Sequence, residues 1–229
     1  MSGPVPVPES VSALYVVLTD EPLDPDAAAP PVPPPSLLLA RGSSPKAVRF
    51  AETLPYATAV SAESAPGDAL DTQRRAQEAA RALAAEHVGV VVDAAVPRLL
   101  SAPPHPDLVR ASDWFVLEHP AEDVSTTHGL TRFGLPELIV SGVEASLLPM
   151  YDAVLTGIAQ RMIEEWPDND PVGPATITLR DVARGYGDAS AGGDDPTLSR
   201  SVAVTLAYDD VEDRIVVTLH DDPASALFF

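Results

Sequence analysis

The sequence predicts an α+β protein, with two long helices packed on a mainly antiparallel or mixed sheet. Three observations carry that prediction. Two long segments repeat apolar residues at spacings of three and four, the period of a helix with one buried face. Several shorter runs alternate apolar and polar residues, the period of a strand. The order of these signals, strand–helix–strand and then strand–helix–strand–strand–strand, suits helices laid on a sheet. With 229 residues, 45% of them hydrophobic, the chain can bury a sizeable core.

Residues 1–35 read as a proline-rich arm with one short strand, and residues 36–229 as a single α+β domain. Pro4, Pro6 and Pro8 deny hydrogen bonds to helix and sheet alike, so residues 1–10 should be extended and dispensable. Residues 13–18 form the short strand. The run 30–35 is a polyproline spacer, or else a ligand for a proline-reading domain.

Residues 56–62 alternate as a strand. Asp68 then caps a helix to residue 86, with Ala76, Ala79, Ala80 and Leu83 on its apolar stripe. Small residues there let the helix lie close on a sheet, and 88–92 follows as a buried strand. Further strands are expected at 114–117 and 137–140. Pro149 must sit in the first turn of the second helix, 147–166, because an interior proline would clash. Ser146 is its expected cap. Tyr151, Val154, Leu155, Ile158, Met162, Ile163 and Trp166 make its core face. Strands at 175–181, 201–208 and 214–219 complete the fold, the last two joined through the acidic turn 209–213.

Charge narrows the function. Lys+Arg is 14 against Asp+Glu 34, a net charge of −20, which argues against nucleic acid or an anionic membrane as partner. The absence of cysteine removes disulfides, thiolate zinc sites and cysteine nucleophiles together. No Lys or Arg occurs before Arg41, so no secretory signal is read and a cytoplasmic location is expected. The single lysine, Lys46, amid abundant Ala, Pro, Val and Asp suggests a GC-rich bacterial genome.

Gly129-Leu130-Thr131-Arg132-Phe133-Gly134-Leu135-Pro136-Glu137-Leu138 resembles a Gly-Leu-x-x-Phe-Gly-x-x-Glu-Leu signature of a bacterial domain family of unknown function. The resemblance covers about residues 55–166. It implies a strand entered from this segment and followed by a long helix, and it supplies no catalytic residue. Physically, Gly129 and Gly134 permit turns around a buried Phe133.

Catalytic motifs are sparse. No His-Glu-x-x-His, no Gly-x-Ser-x-Gly elbow and no Ser-x-x-Lys pair occurs. The best metal candidate is His119, Asp123 and His128, in an acidic loop between two strands. Asp168-Asn169-Asp170 opens like a calcium loop but lacks ligands at Val172 and Leu179, so it reads as a turn. Arg184-Gly185-Tyr186-Gly187 and Gly192-Gly193 read as an acidic loop rather than a phosphate cradle. No cofactor is expected.

The leading reading is a non-catalytic, acidic protein-interaction module of antitoxin, immunity or adaptor type, masking a basic partner. A metal-assisted hydrolase using the His119–His128 loop is the rival, and a structural or assembly subunit, including a homodimer, the third. Leu227, Phe228 and Phe229 are candidate interaction residues, because clustered aromatics at a terminus need an apolar surface to dock on.

Overall fold

The computed structural model describes residues 3–23, 30–101 and 109–228. The fold is α+β, and it divides into two compact units: residues 9–104, and residues 1–8 together with 105–229.

The unit 9–104 is built on β1 (Val11–Thr19), whose residues alternate sides so that both faces are buried from Tyr15 to Thr19. Around it come α1 (Pro35–Ala40), α2 (Pro45–Ala51), β2 (Tyr56–Ser64), α3 (Ala69–Glu86), β3 (Val90–Asp93) and β4 (Arg98–Leu99). The sheet order is β2-β1-β3-β4, antiparallel throughout. On one face Ala13, Tyr15 and Val17 pack against Ala76, Ala80 and Ala84 of α3. The small α3 side chains bring the helix close, and Tyr15 Oη reaches Gln73 Oε1 at 3.1 Å. On the other face Val16, Leu18 and Val92 pack against Leu38 of α1 and Val48 and Ala51 of α2.

The expected boundary at residue 36 differs from this division. The strand assigned to the arm is longer and central, paired on both sides, and its burial makes it part of a core. Two helices were also unforeseen, because each is short and starts at a proline, Pro35 or Pro45, that reads as a helix breaker. Asp68 precedes α3 without a side-chain cap bond, since the chain enters through a tight turn at Pro66–Asp68. Val88 lies outside the strand: it adopts φ 48° just past the helix C-cap. Gly89 follows because a Cβ there would meet the Leu18 carbonyl oxygen at 2.5 Å.

The second unit contains β5 (Val116–Ala121), β6 (Val124–His128), β7 (Glu137–Ser141), α4 (Leu148–Glu165), β8 (Gly173–Thr178), α5 (Leu179–Tyr186), β9 (Ser201–Asp209) and β10 (Arg214–Leu219). Its sheet order is β5-β6-β7-β10-β9-β8, antiparallel except for the parallel β7–β10 pair. Val154, Leu155, Ile158, Met162, Ile163 and Trp166 are buried as expected. Tyr151 is only half-buried; it lies in the first turn, ahead of the stretch that the sheet and α5 cover. Ser146 does not cap α4 but bonds Glu144 Oε1, because another tight turn, Ala145–Leu147, precedes the helix. Pro149 sits in the first turn, as its chemistry requires.

The strand expected at 175–181 stops at Thr178. There Thr178 and Asp181 form a reciprocal capping box that starts α5, so Arg184-Gly185-Tyr186 is the last turn of a helix and not a loop. The helices α4 and α5 touch through glycine: a Cβ on Gly185 would meet Thr156 Cγ2 at 2.7 Å. In the arm, Val5 is 5% exposed, so it is anchored by one side chain rather than loose.

Candidate functional site

The expected metal ligands fall on a hairpin. His119 is in β5 and His128 ends β6, while Asp123 is exposed in the turn that joins them. Strand alternation sends Ser125 and Thr127 into the core and His128 to the opposite face. His119 turns instead toward α4, where its Nε2 lies 3.0 Å from Asp152 Oδ2. The three residues therefore do not converge. Among the described residues no group of three His, Asp or Glu side chains is placed to hold a metal ion.

Ser125, Asp152 and His119 do meet, in an order that does not make a nucleophile. Ser125 Oγ donates to Asp152 Oδ1, and His119 approaches the same carboxylate. A serine nucleophile needs the imidazole between hydroxyl and carboxylate, so that the base can take the hydroxyl proton. Here the carboxylate sits in the middle. The cluster clamps the β5–β6 hairpin onto α4.

The Gly129–Leu138 segment is organised by one carboxylate. Glu137 Oε1 accepts from the Gly129 and Leu130 amides at 2.7 and 3.0 Å, and Oε2 accepts from Thr127 Oγ1 at 2.7 Å. Gly129 and Gly134 have φ 127° and 74°, conformations that a side chain would resist. Phe133 meets Trp114 edge-on, ring centres 6.0 Å apart, and the Arg132 guanidinium lies 5.8 Å from the Trp114 ring. The glycines turn the chain, and Leu130, Arg132, Phe133, Leu135 and Leu138 are buried.

A cavity of about 510 Å³ opens between α4, α5 and the loop after α5, lined by Glu164, Arg180, Arg184 and Asp188 among others. Glu164 receives Gln160 Nε2 at 2.7 Å and an Arg184 guanidinium nitrogen. Burial pushes its carboxyl above the ordinary range, against the lowering effect of Gln160 and Arg184. Arg180 is committed to structure, donating to the Ala191, Gly193 and Asp195 carbonyls. The described residues lining the cavity include no hydroxyl, imidazole or amine nucleophile. Sequence reading missed this place because it missed α5. The Thr178-x-x-Asp181 capping signature was the signal, and it would have set Arg180 and Arg184 one helical turn apart.

The most prominent charged feature is the β9–β10 hairpin. Its tip carries Asp209, Asp210, Glu212 and Asp213 around Val211, which is 84% exposed. Asp209 Oδ1 accepts from the Val211 amide and Oδ2 pairs with Arg214, while Asp213 accepts from Tyr208 Oη at 2.8 Å. That hydrogen bond, with the surrounding carboxylates, raises the Tyr208 phenol. The tip is thus a fixed turn presenting acids about an apolar knob. At the other candidate contact, Leu227 is 0% exposed and Phe228 38%, within the turn Ala224–Phe228; Phe229 lies outside the described residues.

Among the described residues no helix is long and apolar enough to cross a membrane. Protein-family models, curated proteins and solved structures were each compared with the chain, and none matches.

Proposed function

We propose that this protein is a non-catalytic interaction module, located in the cytoplasm, that binds a basic protein surface through the 105–229 unit. The observation that carries the reading is the β9–β10 tip, where four carboxylates surround the exposed Val211. An apolar contact ringed by charge is the usual anatomy of an interface centre and rim. The charge is also unevenly shared. Residues 105–229 hold 22 acidic against 7 basic side chains, and residues 9–104 hold 12 against 7. A basic partner would be steered toward the more acidic unit, in a salt-dependent way. The relationship suggested by Gly129–Leu138 adds no chemistry to this reading.

Affinity capture from the native host tests it, using wild type and an Asp210→Lys/Glu212→Lys variant side by side. Wild type should retain a basic protein at low salt, less of it as salt rises, and the variant should lose it. Equal capture by both proteins would remove the hairpin from the interface. No capture at any salt would sink the module reading itself.

A further inference from the structure

We infer that the outer edge of β2 is a self-pairing surface, through which two copies of this chain join their four-stranded sheets into one. The inference concerns the 9–104 unit and is independent of the acidic hairpin.

Sheet edges offer unpaired backbone groups, and proteins ordinarily blunt them with proline, charge, bulges or short strands. The other edges here are blunted in these ways. In the six-stranded sheet β5 carries Pro120 and an irregular register between Glu118 and Ala121, and β8 carries Pro174. In the four-stranded sheet β4 has two residues. Among the described edge strands only β2 lacks such a device. Its nine residues pair with β1 without a register shift, contain no proline, and include one charge, Glu63. At about 3.4 Å per residue this is a straight edge of roughly 30 Å. Among the described residues no strand pairs with its outer side, and Ala59, Ser61 and Glu63 are exposed.

Two features select a second copy as the occupant. The first is register. Antiparallel pairing of β2 with itself about Val60 uses the whole strand: Tyr56 faces Ser64 of the other copy, Ala57 faces Glu63, Thr58 faces Ala62 and Ala59 faces Ser61. No charge then lies opposite a like charge, and small residues oppose each other along most of the edge. The second is tolerance of the helix above. α3 lies mainly over β1, and in the joined sheet the two β1 strands stand three spacings apart, about 14 Å. Packed helices need only 8–10 Å between axes, roughly. α3 carries three arginines (Arg74, Arg75, Arg81) and three acids (Asp71, Glu78, Glu86), so two such helices side by side are electrically balanced within a strongly acidic chain.

Sedimentation equilibrium of the full chain, with matched charge variants, tests the pairing. Wild type should show a concentration-dependent mass approaching twice 24.0 kDa. An Ala59→Lys/Ser61→Lys variant sets lysine opposite lysine twice, and its dimer dissociation constant should rise about tenfold or more. Ala59→Glu/Ser61→Glu should do the same, and mixing the two variants should restore a dimer. Should the charged variants fold poorly, the absence of native cysteine supplies a second measurement. Val60→Cys should crosslink to itself on mild oxidation, whereas Ala57→Cys, six residues from its own copy in this register, should not. A wild type that stays monomeric overturns the inference. So does a dimer that survives both charge variants, or equal crosslinking at positions 57 and 60, since each assigns the contact to another surface.

Discussion

Glu137 holds the turn between β6 and β7 through a single carboxylate. It is half-buried and satisfies two backbone amides and a hydroxyl, bonds that a neutral side chain cannot replace with equal strength. Glu137→Ala should cost about 2–3 kcal/mol in urea unfolding, because it leaves those donors without their charged acceptor; an unchanged midpoint would mean the turn holds itself. Glu164 makes the opposite kind of prediction. Its folded carboxyl is raised above the ordinary value of 4.5, chiefly by burial, so the folded state holds the proton more tightly than the unfolded state. Stability from this group is therefore complete below the ordinary value and is lost as pH rises through the folded one. Glu164→Gln keeps the shape without that loss. Its melting temperature should gain on wild type as pH is raised from 4.5 toward neutrality, and a constant difference across that range would show that burial is not what governs the group.

Between elements, the contact of α4 with α5 reverses a rule drawn from single helices. Gly185 is in a helix, where alanine is ordinarily better by about 1 kcal/mol. Yet its missing Cβ is where Thr156 Cγ2 and the Thr156 carbonyl sit, at 2.7 and 2.9 Å. Gly185→Ala should destabilise by about 1–3 kcal/mol, as overpacking does, and a gain in thermal stability would show that α5 slides away freely. This contact also marks the limit of what the sequence discloses. The long helices and the strands β2, β7, β9 and β10 are legible because each repeats one period for long enough, with Pro149 placing the start of α4. α1, α2 and α5 are short, and their start signals (two prolines and a Thr-x-x-Asp box) stand inside stretches that look like loop or strand. Of the candidate sites, the residues were visible and their directions were not. His119 and His128 lie on one hairpin but turn to different faces, a fact set by the pairing register, Val116 opposite His128, which residue spacing alone does not reveal. The acidic turn 209–213 reads as a mere connection, because charge alone does not say that Val211 stands clear of it.

Across the whole molecule, the arm is the contact that ties distant sequence together. Val5 is buried, and residues 1–8 group with residues 105–229, although nearly a hundred residues of the other unit intervene. Deleting residues 1–8 should lower stability by about 1–2 kcal/mol, the order contributed by one buried valine, and Val5→Ser should reproduce most of that loss. If deletion costs nothing measurable, the arm is ornamental. The arrangement also imposes a schedule. The unit 9–104 is nested inside the sequence of the other, so during synthesis it has all its parts once residue 104 has emerged. Its partner unit must wait for strands made at the far end and then recover a segment made at the start, the slowest kind of closure for a chain. For that interval the nascent protein displays a finished β2 edge without the acidic hairpin, whose synthesis comes later. Neighbouring chains on one message would meet at β2 before either carries most of its negative charge.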